Sequence, residues 1–161
     1  MSIAQDTIRE MFEYRDGQLF NRYTRGTKAV KGKLAGSLNQ SSGYWQVGIN
    51  GKRYQLSRLI WIYHNGDIDD GLHVDHINRD KHDNRIENLR AITQTQNEWN
   101  KPHMGCRFEA GKWRAKIRHN GKTLHIGMFE TRQSAEQAYL DMAQKLRGNF
   151  AASCVNIPTI Q

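Results

Sequence analysis

The chain has 161 residues and a formal net charge of +8 at pH 7, with 37% apolar and 25% charged residues. This size and composition suit one sizeable core or two small ones. No apolar run approaches the roughly 18 residues of a membrane span, and the N-terminus lacks the basic and apolar regions of a signal peptide. Cys106 and Cys154 are too few for a disulfide framework or a zinc site, and we expect both to stay reduced inside a cell.

The positive charge is unevenly distributed along the chain. Residues 1–70 hold ten Lys/Arg against seven Asp/Glu, residues 71–101 hold five against five, and residues 102–161 hold nine against four, giving net charges of +3, 0 and +5. A neutral central segment between two basic segments is typical of a protein that binds a polyanion through residues outside its active site. General solubility is the simpler alternative.

The first third of the chain predicts a short helix followed by a loop. Residues 1–16 place Ile3, Ile8, Met11 and Phe12 on one face at helical spacing. Residues 17–42 are poor in apolar side chains and rich in Gly, Ser and Lys, which indicates a basic loop that is either mobile or ordered on a phosphate backbone. The candidate phosphate contacts in this loop are Lys28, Lys31 and Lys33.

The segment from residue 44 to residue 66 predicts a hairpin and a helix. Two alternating runs are joined by Asn50-Gly51, and both turn residues tolerate positive φ. Residues 57–64 then carry apolar side chains at helical spacing, and the helix should end at Asn65-Gly66. We expect this hairpin and helix to form the scaffold on which the following motif is mounted.

A second hairpin and helix are predicted near the C-terminus. Residues 112–128 form two strands around Asn120-Gly121, and a helix follows from Thr131, a natural N-cap, to Gly148. Pro102 should end the preceding helix, which places a domain boundary between Lys101 and Gly105.

The most informative segment runs through Val74–Asn78, Asn84–Arg90 and Thr93–Asn97. Phosphodiester hydrolysis requires a base for water and positive charge on the scissile phosphate and leaving oxygen. An Asp next to a His at a strand end can serve both needs. Asp75 would bind a hard cation, and His76, on the opposite face of the pleat, would act as general base.

The order and spacing of these residues resemble the motif of the HNH endonucleases, a strand, a looped return strand and a short helix around one cation. The resemblance implies that Asn97 is the second metal ligand and that Asn88 ties the loop and helps to orient His76. Asp75 and Asn97 stand where the bacterial-toxin branch of the family has histidines. In this respect the sequence resembles the phage and intron-encoded homing enzymes. Oxygen ligands favour one Mg²⁺ or Mn²⁺ per site over Zn²⁺. His73, His82 and His103 are expected to be surface or phosphate-contacting residues.

The C-terminal hairpin predicts one apolar and one basic face. Trp113, Ala115 and Ile117 alternate with four cations on the first strand. On the next strand Leu124 and Ile126 should point inward, while Thr123 and His125 point outward, and Arg107 should join from an earlier strand. The basic face could fit a DNA groove, and the alternative is that it is the solvated face of an ordinary hairpin. The predicted DNA-binding set is Arg107, Lys112, Arg114, Lys116, Arg118, Thr123 and His125.

Residues 105–151 resemble the DNA-binding domain of the plant ethylene-response-factor regulators. The resemblance implies a three-stranded antiparallel sheet that packs on one helix and lies in the major groove. The plant pattern has an acidic residue where Lys116 stands and Trp where His125 stands. Base preference therefore does not carry over, and phosphate contact should weigh more than base readout.

Together these features predict an α+β protein with a ββα-metal nuclease core, preceded by a hairpin and helix scaffold and followed by a three-stranded sheet on one helix. The expected domains are 1–101, with the motif at 73–100, and 105–155. The expected function is HNH homing-type nicking or cutting of double-stranded DNA by a monomer or weak dimer, without a small-molecule cofactor, in the host cytoplasm of a phage-encoded protein. A non-catalytic DNA-binding regulator is the alternative. An RNA-directed protein is disfavoured because the sheet lacks an exposed aromatic platform.

Overall fold

The computed structural model describes residues 3–100 and 105–148. The chain divides into two compact units, residues 1–94 and 95–161. This division precedes the predicted boundary at 101–105, of which only Gly105 is described. Cys154, Pro102, His103 and the predicted end of the second domain at residue 155 lie outside the described residues.

The first unit begins with a helix that is shorter than predicted. Helix α1 spans Gln5–Met11, and the chain then forms strands β1 (Phe12–Arg15) and β2 (Gln18–Asn21), which pair antiparallel. The prediction that the helix extends to residue 16 was therefore wrong. The chain becomes extended at Phe12, whose side chain is fully buried in the core. The prediction of an unbroken loop from residue 17 was also wrong, since Leu19 of β2 is fully buried as well.

A three-stranded sheet and a helix follow. Strands β3 (Ser37–Asn39), β4 (Tyr44–Ile49) and β5 (Lys52–Gln55) are antiparallel, in the order β3-β4-β5. The Asn50-Gly51 turn is confirmed, with φ of 49° and 76°. Helix α2 (Leu56–Asn65) is also confirmed, and the N–H of Gly66 caps it by donating to the carbonyl of Ile62.

The motif segment forms a second hairpin on this scaffold. Strands β6 (Leu72–His76) and β7 (Leu89–Thr93) pair antiparallel, and helix α3 (Gln94–Asn100) follows directly. Val74, Ile86 and Leu89 contribute to the apolar core of the first unit. That burial fixes the hairpin to the scaffold. The fully buried centre of this core consists of Ile8, Phe12, Leu19, Leu59 and Ile60.

The second unit has the expected three-stranded antiparallel sheet and one long helix. Strands β8 (Cys106–Glu109), β9 (Lys112–His119) and β10 (Lys122–Phe129) are ordered β10-β9-β8, and helix α4 spans Arg132–Arg147. The predicted N-cap is confirmed, because Thr131 Oγ1 accepts a hydrogen bond from Ser134 N at 3.1 Å. The sheet and α4 share a core of Cys106, Ala115, Ile117, Ala135, Tyr139 and Ala143.

The alternation predicted for β10 holds only in part. The strand contains a bulge between His125 and Gly127, which interrupts the regular pairing with β9. Ile126 packs against the core as predicted. Leu124 was predicted to point inward, yet it is 39% exposed although it lies opposite buried Ile117. It therefore contributes little to the core, which Ile126 reaches from the bulge.

Within the described residues, no helix combines the length and apolar character needed to cross a membrane.

Candidate functional site

His76 is a buried histidine at the end of β6, and its side chain is held by an asparagine. The residue is 4% exposed, and its Nε2 lies 3.1 Å from Asn84 Oδ1. Asn84 Nδ2 donates to the carbonyl of His82, which directs Oδ1 towards the imidazole. In this network His76 Nε2–H donates to Asn84, so that Nδ1 is the nitrogen that can accept a proton in the neutral ring.

Asp75 precedes His76 and forms an ion pair across the hairpin. Arg90 stands opposite Asp75 in the register of β6 and β7. Its Nε and Nη2 both lie 3.0 Å from Asp75 Oδ2, and the two side chains are only 14% and 16% exposed. The pair fixes the orientation of the Asp75 carboxylate, and any cation bound there would share it with Arg90. Sequence reasoning missed Arg90, because the contact follows from a strand register that spacing alone does not give.

Asn88 closes the loop between β6 and β7. Its Nδ2 donates to Asn78 Oδ1 at 2.9 Å and to the carbonyl of Asp83 at 2.7 Å, while its Oδ1 accepts from Asn78 N at 3.0 Å. These bonds agree with the predicted role of tying the loop. The predicted role of orienting His76 fits Asn84 better, because Asn84 is the residue that bonds to Nε2.

The same loop carries an acidic residue with a low pKa. Arg85 donates to both carboxylate oxygens of Asp83 at 2.9 Å, and Asn78 Nδ2 donates to Oδ2 at 2.9 Å. The hydrogen bonds and charge of Arg85, helped by Asn78, lower the pKa of Asp83 to about 2. Asp83 is thus a structural carboxylate of the loop, ionised at neutral pH.

A tyrosine and a lysine lie beside the histidine. The Tyr44 ring centre is 6.2 Å from that of His76, and Lys81 Nζ lies 4.5 Å from the centre of the Tyr44 ring. Lys81 also donates to the carbonyl of Ser42, which holds its ammonium near this end of β4. Neither Tyr44 nor Lys81 was predicted as a site residue, since nothing in the motif spacing links β4 to β6.

The predicted second metal ligand, Asn97, is half-buried on α3 in the second unit. Within residues 3–100 and 105–148, no three His, Cys, Asp or Glu residues lie together as a potential metal site. The carboxylate of Asp75 and the amide of Asn97 are hard oxygen donors of the kind that Mg²⁺ and Mn²⁺ accept. Their joint coordination of one cation stays a prediction. His73 and His82 are exposed, and His103 lies outside the described residues.

Helix α3 is anchored within the second unit by an aromatic stack. The Trp99 ring stacks on the His119 ring, with an interplanar angle of 27° and ring centres 5.5 Å apart. The guanidinium of Arg147 lies 5.5 Å from the centre of the Trp99 ring, and it also donates to the carbonyl of Arg118. Arg147 is buried, so this contact joins α3, β9 and α4 into one packed group.

The basic face of the second sheet is present but partly neutralised. Lys112 pairs with Glu130 at 2.7 Å, and half-buried Arg114 pairs with Glu109 at 2.9 Å. In the described part of the chain, no acidic side chain pairs with Arg107, Lys116 or Arg118. Across the strands, Arg107 faces Arg114, His125 faces Lys116 and Thr123 faces Arg118. The exposed members of the predicted DNA-binding set are Arg107, Lys112, Lys116, Arg118, Thr123 and His125.

The predicted basic loop after β2 is ordered by the protein itself. Asn21 N donates to the carbonyl of Lys33 at 3.0 Å, and Lys31 N donates to Thr24 Oγ1 at 3.1 Å. Lys28, Lys31 and Lys33 are all exposed, as a phosphate-contacting role requires. The loop therefore needs no phosphate backbone to become ordered.

The segment that contains the Asp75–His76 pair is similar to a known family of nucleases. Residues 54–99 match the family model described as HNH endonuclease, so the chain carries an HNH endonuclease family domain. This confirms the predicted HNH resemblance for that segment. The resemblance of the C-terminal part to the ethylene-response-factor domain stays a prediction.

Two similar proteins carry related names. An uncharacterized HNH endonuclease of Acanthamoeba polyphaga mimivirus is 36% identical over 117 residues, which cover 69% of this chain and 62% of that protein. The chain thus spans less than two thirds of this relative's length. A solved structure, described as DNA binding and cleavage by the HNH homing endonuclease I-HmuI, is 28% identical with a TM-score of 0.41. The match covers 52% of this chain and 46% of the chain in that structure.

Proposed function

We propose that this protein is a metal-dependent DNA endonuclease in which His76 is the general base. The observation that carries the proposal is the buried His76 ring, whose Nε2 is bonded to Asn84 beside an oriented Asp75 carboxylate. An imidazole whose Nε2 is bonded to a fixed amide is held in one orientation, and Nδ1 is then the nitrogen that would act as the base. Within an HNH endonuclease family domain, this geometry supports phosphodiester hydrolysis.

The chemistry assigned to the chain's own residues is proton transfer. His76 Nδ1 removes a proton from water as the water oxygen forms its bond to phosphorus. The bond from phosphorus to the leaving oxygen breaks in line, and the leaving oxygen takes a proton from solvent. Asn84 is a positioning residue, because its amide bonds to Nε2 and so accepts the hydrogen of the ring throughout the step. Asn88 keeps the loop that carries Asn84 closed.

One Mg²⁺ or Mn²⁺ would be held by Asp75 and Asn97, whose oxygen donors suit a hard cation. When bound, such a cation supplies positive charge at the scissile phosphate and the leaving oxygen. Arg90 would orient the Asp75 carboxylate, and the cation would share that carboxylate with Arg90.

The proposed substrate is double-stranded DNA. The exposed cations Arg107, Lys116 and Arg118, with Thr123 and His125 beside them, form a surface that suits a phosphate backbone. Lys28, Lys31 and Lys33 would add contacts from the first unit. A single such site cuts one strand per binding event, which fits nicking by a monomer or weak dimer in a host cytoplasm.

A non-catalytic DNA-binding regulator is the second candidate. It is favoured by the Asp75–Arg90 ion pair, because a guanidinium at 3.0 Å already balances the carboxylate that a metal would need. On that reading the motif hairpin serves only as a scaffold.

The test is nicking of supercoiled plasmid in Mg²⁺ or Mn²⁺, compared with EDTA. We expect His76→Ala and Asp75→Ala to lose nicking while DNA affinity stays within a few-fold of wild type. His73→Ala is the matched control, because His73 is exposed on the same strand. Tight DNA binding without cleavage in any metal would establish the regulator instead.

A further inference from the structure

A second concave surface lies in the first unit. A cavity of about 600 Å³ is lined by the loop after β2 and by β3, β4 and β5. The residues that carry charge or a hydrogen-bonding amide in it are Asn21, Arg25, Lys28, Asn39, Gln46 and Arg53. We call this cavity the β3–β5 cleft. None of the predicted catalytic or metal-binding residues lines it.

The β3–β5 cleft presents hydrogen-bond donors and positive charge. Arg25, Lys28 and Arg53 line it, and no Asp or Glu does so. In the described part of the chain, neither Lys28 nor Arg53 has an acidic partner. Gln46 Oε1 accepts from Asn39 Nδ2 at 3.2 Å, which leaves the amide nitrogen of Gln46 as its donor group. Three cations without a carboxylate indicate an anionic occupant.

One of these cations, Arg25, is held by the fold. Arg25 Nη2 donates to Asn21 Oδ1 at 2.9 Å, and its guanidinium lies 4.9 Å from the centre of the Phe12 ring. Arg53 is an exposed residue that stands opposite Gly48 in the pairing of β4 with β5. A guanidinium with a fixed orientation loses less side-chain entropy when it binds an anion than a freely rotating one.

One of the residues that line the cleft is a glycine. Gly48 is an exposed residue in the middle of β4, and a Cβ built there would meet nothing within 4 Å. Its φ is outside the left-handed region, so the backbone itself does not require glycine. A side chain at this position would occupy space in the cleft beside Arg53.

We propose that the β3–β5 cleft binds a phosphate of a nucleic-acid backbone, as a contact separate from the His76 site and from the face of β9. This proposal rests on the proposed function in taking DNA as the partner. The donor-rich, acid-free lining fits phosphate oxygens, and the contact would hold the first unit on the duplex. It adds Arg25, Arg53 and Gln46 to the predicted contact Lys28.

The charge test uses the full-length protein and a linear DNA duplex of arbitrary sequence. Affinity is measured by fluorescence anisotropy over about 50 to 200 mM NaCl, where each lost phosphate contact lowers the salt slope by about one. We expect this loss in Arg53→Gln. Lys52→Gln is the matched control, because Lys52 is an exposed cation on the same strand that does not line the cleft. An unchanged slope in Arg53→Gln, or an equal loss in both variants, would overturn the proposal.

The shape test leaves the charge unchanged. Gly48→Val fills the open space above β4 with a side chain suited to a strand, so thermal stability should be kept. We expect DNA affinity to fall several-fold and the salt slope to fall as in Arg53→Gln. Wild-type affinity in a folded Gly48→Val protein would refute a role for the cleft. Plasmid nicking by these variants reports separately on the nuclease, since a protein that binds but never nicks defeats only the proposed function.

Discussion

The turn between β1 and β2 supports the loop that holds His76, and this contact can be tested with a pair of glycines. Gly17 and Gly51 have almost the same φ, 77° and 76°. A Cβ at Gly51 would meet nothing within 4 Å, whereas at Gly17 it would lie 2.8 Å from Arg85 N and 3.0 Å from the carbonyl carbon of Asn84. The left-handed backbone should cost about 1 to 2 kcal/mol in either alanine variant. Only Gly17→Ala adds overpacking, of about 1 to 3 kcal/mol.

The expected result is a larger loss of stability in Gly17→Ala than in Gly51→Ala. For a unit of this size, each kcal/mol of unfolding free energy lowers Tm by about 4 to 8 °C, so the two variants should differ by at least about 4 °C in calorimetry. Because Gly17→Ala pushes on Asn84, its nicking rate should also fall at a temperature where both variants are folded. Equal Tm values, or equal nicking rates, would refute the contact and its link to His76.

Three further predictions concern charge. Asn84→Asp places a carboxylate on the Nε2 side of His76, which stabilises the protonated ring. The midpoint of the acid limb of the nicking pH profile should therefore shift to higher pH, by about 1 to 3 pH units. Asn84→Ala should slow nicking without that shift. Because Arg85 lowers the pKa of Asp83 to about 2, the stabilisation is present above about pH 4 and lost as pH falls towards 2. Asp83→Asn should therefore unfold with at most about 1 kcal/mol less free energy at neutral pH, and urea titrations should show this difference vanishing near pH 2. Lys116→Gln should lower the salt slope of DNA binding by about one, whereas Lys112→Gln, already paired with Glu130, should change it less; equal slopes would argue against the partial neutralisation of this face.

Strong local signals were enough to predict the two Asn-Gly hairpins and the helices after them. Asn50-Gly51 and Asn120-Gly121 adopt the positive φ values that such turns require, and Thr131 caps its helix through its own side chain. Alternation along β9 also sorted Ala115 and Ile117 from the cations correctly. Each of these signals depends on neighbours within a few residues, which is why a single sequence reveals them.

The features that sequence reasoning missed depend on distant partners. Strands β1 and β2 have only four residues each, too few to show a period, and their identity comes from burial against α1 and α2. The pairing of Arg90 with Asp75 needed the strand register, and the bond from Asn84 to His76 needed the course of the loop. Glu130, the partner of Lys112, lies just after β10 and comes close to Lys112 only through the pairing of β9 with β10.

The contacts of Trp99 with His119 and Arg147 have a consequence for how this protein is divided in the laboratory or in evolution. A recombinant fragment that stops at residue 101 would keep α3 but remove both partners of Trp99, leaving an indole without its packing. A fragment that ends at Gln94 would avoid this, at the loss of Asn97. Exchange of C-terminal modules between relatives would likewise carry Asn97 along with the new module, so that a chimaera inherits one predicted metal ligand from each parent.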